Sequence, residues 1–188
     1  MPELAPLLID LALDPGPTEG IPELPGPSRW DAELHSWLDA IRNDPHLDCP
    51  EAVRQADELS LGLRFCDDAA IAELNQTWRQ RNGPTDVLSF AALDDLPDDL
   101  AQPSLELGDI IISIDTARRQ AAEHGHSLLD ELRWLLSHGL LHLLGWDHPD
   151  DGALSVMLRQ QELLLAISHN IWTREPHPVV SQVNSDAH

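Results

Sequence analysis

No lysine occurs in this chain of 188 residues: all eleven basic side chains are arginines, set against 33 acidic ones, for a formal net charge of −22. So acidic a chain excludes broad, non-specific attraction to a polyanion, because proteins that bind nucleic acid through charge alone present a basic face. The arginines are then the only permanently positive points able to hold a phosphate. The missing lysine itself reads as compositional bias without functional content. Cysteine is nearly as scarce, and Cys49 and Cys66 lie too far apart in sequence to build a closed, cysteine-rich metal site. No apolar run approaches the roughly 20 residues that span a bilayer. Met1 to Asp14 has no basic residue before its apolar segment and no small-residue cleavage site, so no export signal is expected. These absences predict a protein of the reducing cytosol without a membrane partner, and they leave its oligomeric state open. Internal repeats are also lacking.

What is present is enough apolar sequence for one core, with 42% hydrophobic residues. Leu4 to Leu13 has the apolar, β-compatible character of a first strand. Asp14 to Ser28 holds Pro15, Pro17, Pro22, Pro25 and Pro27 and predicts a mobile loop or linker without regular structure. Trp30, Leu34, Trp37, Leu38 and Ile41 are spaced as the buried stripe of a helix over 29–43. Glu58 to Phe65 alternates as a half-buried strand. Asp67 or Asp68 then caps a helix to about Arg79, packed through Ile71, Leu74 and Trp78. Further strands are expected at Asp86 to Ala91 and Leu107 to Ile114, separated by an exposed acidic loop over Leu93 to Glu106. Helices follow over 116–124, from a Ser127/Asp130 capping pair onward, and over 151–168. The polar stretch Arg174 to His188 is expected to be disordered. Mixed order of strands and helices predicts an α+β fold, a small mixed sheet with helices packed on it.

The chemistry is concentrated in Ser137-His138-Gly139-Leu140-Leu141-His142-Leu143-Leu144-Gly145-Trp146-Asp147-His148. His138 and His142 are one helical turn apart on one face and can reach a single ion. Gly145 supplies the left-handed residue that ends a helix, and Pro149 prevents its resumption, so His148 can double back as a third ligand. Leucines surround the helix on most sides, and buried imidazoles there need a partner that a metal provides. Three histidines with a fourth position open is the donor set of a catalytic zinc, whereas structural zinc fills all four positions. Gly139 occupies the position where the common zinc-protease motif carries its glutamate base, which speaks against peptide hydrolysis. A helix-interior glycine at that point also implies close packing or close ligand approach.

That histidine segment, with Pro84-Thr85-Asp86-Val87-Leu88-Ser89-Phe90, Leu107-Gly108-Asp109-Ile110-Ile111-Ile112-Ser113 and Leu74-Asn75 ahead of Trp78-Arg79, strongly resembles the YbeY family of bacterial endoribonucleases. The resemblance runs in register from about Leu59 to Ile167. It implies a single-domain α+β metalloprotein holding one zinc ion through His138, His142 and His148 at the end of a central helix. It further implies cleavage of single-stranded RNA in 3′-end maturation of small-subunit ribosomal RNA and in ribosome quality control, with Arg79 in the active site beside the three histidines. On this reading residues 1–28 are an N-terminal strand and Pro-rich linker, 29–172 the catalytic metalloprotein domain and 173–188 a tail.

Around that centre, Asp147 and Asp109 are candidates to orient a histidine ring, or else turn and cap residues. Thr85 and Asp86 read as a turn entering a strand. His124 and His126 read as loop residues rather than a second metal pair, and Arg118 and Arg119 as a solvated face. No general base is apparent. The acidic charge predicts weak, salt-sensitive affinity for naked RNA and direction to the substrate by the ribosome or an assembly factor. Two other readings remain: a ribosome-associated binding protein with structural zinc, and a zinc hydrolase of another substrate.

Overall fold

The computed structural model describes residues 6–97 and 102–173, and the proposed tail over 174–188 lies outside them. Alternating side chains over Leu8–Asp14 (β1), Glu58–Cys66 (β2), Val87–Ala91 (β3) and Ser104–Ser113 (β4) build one four-stranded sheet in the order β1-β2-β4-β3. β1 runs parallel to β2 and β2 parallel to β4, whereas the edge strand β3 is antiparallel to β4. On one face Leu59, Leu61, Leu63 and Phe65 of β2 and Leu105, Ile110 and Ile112 of β4 enter the main core. Helices α1 (Pro27–Asn43), α5 (Leu128–Leu143) and α6 (Asp151–Ile167) supply its other wall through Leu34, Trp37, Leu136, Leu140 and Leu164, among others. Among the described residues the opposite face is covered only in part: α3 (Asp68–Arg79) sets Ile71 and Leu74 on Leu88 and Ile111. α4 (Ile114–His124) runs from the end of β4 to the start of α5. The fold is a single small α+β domain, as expected.

Caps expected from sequence are made. Asp67 accepts from the Ala70 N–H at 2.8 Å and Ser127 from the Asp130 N–H at 3.1 Å, each satisfying an otherwise orphaned helix donor. Asp150 does the same for α6, accepting from Ala153 at 2.7 Å. A buried polar knot ties four helices together. Arg133 of α5 donates to Glu33 of α1 at 2.9 Å, and the Ser168 hydroxyl at the end of α6 donates to the same carboxylate at 2.8 Å. Trp172, in the short helix α7 (His169–Thr173), donates to it as well.

Four expectations need correction. The Pro-rich segment is not free of regular structure: Gly16–Gly20 forms a 3-10 turn, Ile21 and Leu24 pack on the core, and α1 already begins at Pro27. Proline tolerates both places, since a 3-10 turn needs few donors and the first helical turn needs none. The acidic loop is shorter and less exposed than expected, because β4 starts at Ser104, Leu93–Asp95 forms a second 3-10 turn, and Leu93 and Leu96 are partly buried. Trp78 is not a core residue: it is 66% exposed and stands at the rim of a groove over the sheet, its ring edge on Phe90. Two short helices, α2 (Glu51–Gln55) and α7, were not anticipated.

Candidate metal centre

Helix α5 carries the centre, and its approach to the sheet explains Gly139. A Cβ at that position would stand 2.8 Å from Ile110 Cγ2 and 3.1 Å from Ser89 Oγ, so only glycine lets the helix backbone lie this close to β4 and β3. The Ser89 hydroxyl fixes the contact by donating to the Gly139 carbonyl at 3.3 Å. Close packing, rather than ligand approach, is thus the reason for this residue. The helix ends as the sequence predicts. Gly145 is left-handed with φ +93°, its N–H reaches the His142 carbonyl at 3.1 Å, and the Trp146 N–H returns to Leu141 at 3.0 Å. That reversal folds His148 back beside the two helical histidines.

The three rings converge, their centroids 4.6, 5.5 and 5.3 Å apart and their ligating nitrogens all within 4.8 Å of one another. His138 and His142 are half-buried and His148 is exposed, so the group opens to solvent on one side. Gln161 of α6 sets the orientation of His138. Its amide nitrogen donates to the Trp134 carbonyl at 3.2 Å and the Ser137 hydroxyl at 3.3 Å, which turns the amide oxygen to accept from His138 Nδ1 at 3.0 Å. His138 Nε2 is then left with its lone pair facing His142 Nε2 at 3.0 Å. Without an ion His142 Nε2–H donates to that lone pair; with both nitrogens unprotonated the pair faces one point, and a divalent metal ion fits this donor set. Burial holds the pKa of His142 below its ordinary value, and the neighbouring His138 adds to the effect; a hydrogen bond to the Trp146 backbone opposes it. A neutral imidazole is the form that binds metal.

The histidines open into a cleft of about 1220 Å³ that Arg79, at the end of α3, also lines. Arg79 Nη2 donates to the Ser89 carbonyl at 2.7 Å, and the guanidinium lies over the Phe90 ring with Cζ 5.7 Å from its centroid. One carbonyl and one aromatic face fix the group while leaving other N–H donors free. Around the cleft Asp86, Asp94, Asp95 and Asp147 outnumber Arg79 and Arg81, so the protein alone does not make it basic.

Other singled-out residues are placed as follows. Asp86 is a turn residue, accepting from the Val87 N–H at 2.7 Å and from Gln120 at 3.1 Å, and Thr85 sits beside it. Asp147 accepts from the His148 N–H at 2.8 Å and shapes the turn. Asp109 cannot orient a histidine, because β4 points it to the face opposite α5, where it lines a different groove. Arg119 is paired with Asp68 at 2.9 Å, and Arg118 is exposed. His124 and His126 are more than loop residues: both engage the buried carboxylate of Glu131, His124 Nδ1 at 3.3 Å. Sequence reasoning passed over Gln161, because nothing in the spacing of α6 marks one glutamine as facing a histidine 23 residues earlier.

An α+β domain with a three-histidine group at the end of a sheet-packed helix defines the class as a candidate single-domain metalloprotein. The sequence profile of endoribonuclease YbeY matches residues 29–168, and the chain belongs to that family. It is 56% identical over 183 residues to the endoribonuclease YbeY of Parasynechococcus marenigrum (strain WH8102), covering 96% of this chain and 99% of the relative. To the endoribonuclease YbeY of Synechococcus sp. (strain CC9605) it is 61% identical over 161 residues, covering 84% and 97%. A solution structure of the Thermotoga maritima protein TM1509 shares the fold, with a TM-score of 0.50 at 18% identity over 92% of this chain and 99% of that one.

Proposed function

We propose that this protein is a zinc-dependent endoribonuclease specific for single-stranded RNA, acting in the cytosol on precursors of small-subunit ribosomal RNA during 3′-end maturation and ribosome quality control. The observation that carries the chemistry is the convergence of His138, His142 and His148, with His138 held by Gln161, in one cleft with Arg79. Zinc bound there supplies Lewis acidity, activating water near neutral pH and polarising a phosphoryl oxygen. Gln161 and the turn at Gly145 hold the ligands in place, so the geometry is set before substrate arrives. Arg79, anchored on Ser89 and Phe90, presents its remaining N–H groups to the phosphate and stabilises charge that develops on it. The aspartates around the cleft repel an RNA backbone until a divalent cation offsets them, which supports an enzyme delivered to its substrate by the ribosome or an assembly factor rather than one that captures free RNA.

The test is cleavage of a labelled single-stranded RNA by metal-depleted protein, by zinc-restored protein and by an identically purified His142→Ala variant. Cleavage that needs zinc and vanishes in a folded variant is the expected result. Equal cleavage by all three would mean a contaminating nuclease. No cleavage by any, even with ribosomal subunits added, would overturn the reading and leave a binding protein with structural metal.

A further inference from the structure

Among the described residues, the face of the sheet opposite the main core is covered by α3 over β3, β4 and the end of β2. Beyond it lies a groove of about 570 Å³, within the range of small-ligand sites. Its floor is built by strand register. Ala12, Gly62, Asp109 and Phe90 form one row across all four strands, and Asp14, Arg64, Ile111 and Leu88 the next. Small residues at two adjoining positions lower the floor. At Gly62 the space is taken by Asp109, whose Oδ1 would lie 2.1 Å from any Cβ added there. One wall is Trp78, 66% exposed, set edge-to-face on Phe90 with centroids 6.1 Å apart. Among the described residues most of its surface is uncovered and available to a flat partner.

Phe90 is shared. The ring lines this groove and also the histidine cleft, and Arg79 lies over it. A chain that leaves the cleft past Phe90 therefore runs towards Trp78. The groove is unsuited to phosphate: its single arginine, Arg64, is 3.5 Å from Asp14, and Asp109 adds a second carboxylate. It suits a flat, uncharged ring with N–H donors on one edge, since an aromatic wall stacks on a base and an aspartate accepts from an exocyclic amino group.

We propose that this groove is a base-binding subsite: Trp78 stacks on a nucleobase of the RNA strand whose phosphate is held in the histidine cleft, and Asp109 accepts from that base's amino edge. The inference rests on the RNA-cleaving reading and deepens it. A base can reach Trp78 only when unstacked from its neighbours, so the subsite excludes duplex RNA and makes the enzyme single-strand-specific. Asp109 favours cytosine, adenine or guanine over uracil at that position.

The experiment is steady-state cleavage by the zinc-loaded full chain of single-stranded RNAs carrying one abasic nucleotide at successive positions around the cleavage site, with wild type, Trp78→Ala, Trp78→Phe and Asp109→Ala. Circular dichroism establishes that each variant is folded. Trp78→Ala is expected to raise KM about 5- to 150-fold with kcat little changed, and Trp78→Phe to recover most of the loss. One abasic position should impair wild type to a similar degree and Trp78→Ala hardly further, since both remove the same contact. Asp109→Ala should abolish the preference against uracil there. Unchanged KM in Trp78→Ala, or losses that simply multiply at every abasic position, would overturn the subsite while leaving the nuclease intact. Wild type that cleaves no RNA, with ribosomal subunits added as well as without, overturns the nuclease reading, and the subsite with it.

Discussion

Replacing Gln161 by leucine tests whether the centre works as its geometry says. The amide oxygen is the partner of His138 Nδ1 at 3.0 Å, and it is held in that sense by two donations from the amide nitrogen. Leucine keeps the approximate volume at a site with no solvent exposure but removes the acceptor, so the His138 ring is free to rotate and to take the other tautomer. Loss of such a partner typically weakens metal binding about 10- to 100-fold, or about 1.4–2.8 kcal/mol. Trp134 keeps the Ser137 hydroxyl as a donor at 2.7 Å, so its carbonyl is not orphaned and the variant should fold. The assay is zinc competition against a chromophoric chelator at fixed pH, after a thermal melt of the metal-free protein. Gln161→Glu, which retains an acceptor for Nδ1–H, should bind within a few-fold of wild type. A folded Gln161→Leu with unchanged zinc affinity would refute the argument, because the ring would then be oriented by something other than α6.

Two predictions concern stability. Glu33→Ala strands the Arg133 guanidinium in a site where its side chain is 9% exposed, and breaking a buried pair from one side costs about 3–5 kcal/mol. Differential scanning calorimetry should show Tm lowered by roughly 6–20 °C, with part of the loss recovered by adding Arg133→Met; a fall of less than about 2 °C would show that the knot contributes little. His142 governs a pH dependence. Its folded pKa lies below the ordinary 6.5, chiefly through burial and then the neighbouring His138, so the unfolded chain takes up the proton first as pH falls. Metal-free protein should therefore be most stable above pH 6.5 and lose stability as pH falls from there to the folded pKa, levelling below it. Urea melts across that window should show the slope flattened in His142→Asn; an identical slope would assign it to other groups.

The sequence was most legible where local physics acts alone. Helix spacing, the caps at Asp67 and Ser127, strand alternation in β2 and the reversal at Gly145 all depend on neighbours within a turn or two. The histidine group was legible for the same reason, since its donors lie close together in the chain. Contacts made across the fold were not. The pairing of β1 with β2, the register that sets Asp109 away from the histidines and the contact of Gln161 with His138 arise only when distant segments meet. Trp78 shows how the error arises: its spacing from Ile71 and Leu74 is that of a buried stripe, but at that point the sheet offers the small residues Ala12 and Gly62 and a groove is left open. Helices α2 and α7, at five residues each, are too short to carry a period.

His138, His142 and His148 all come from one stretch of eleven residues. A donor set that local does not wait for the sheet, because closing so short a loop costs little entropy and needs no distant strand. The unfolded segment would keep some affinity for a metal ion, weaker than that of the folded chain because Gln161 no longer holds His138. Metal that binds both states stabilises the fold less than its affinity would indicate. A metal held by this segment would thus be coupled to folding only in part, through the contact with Gln161 that the folded chain alone supplies.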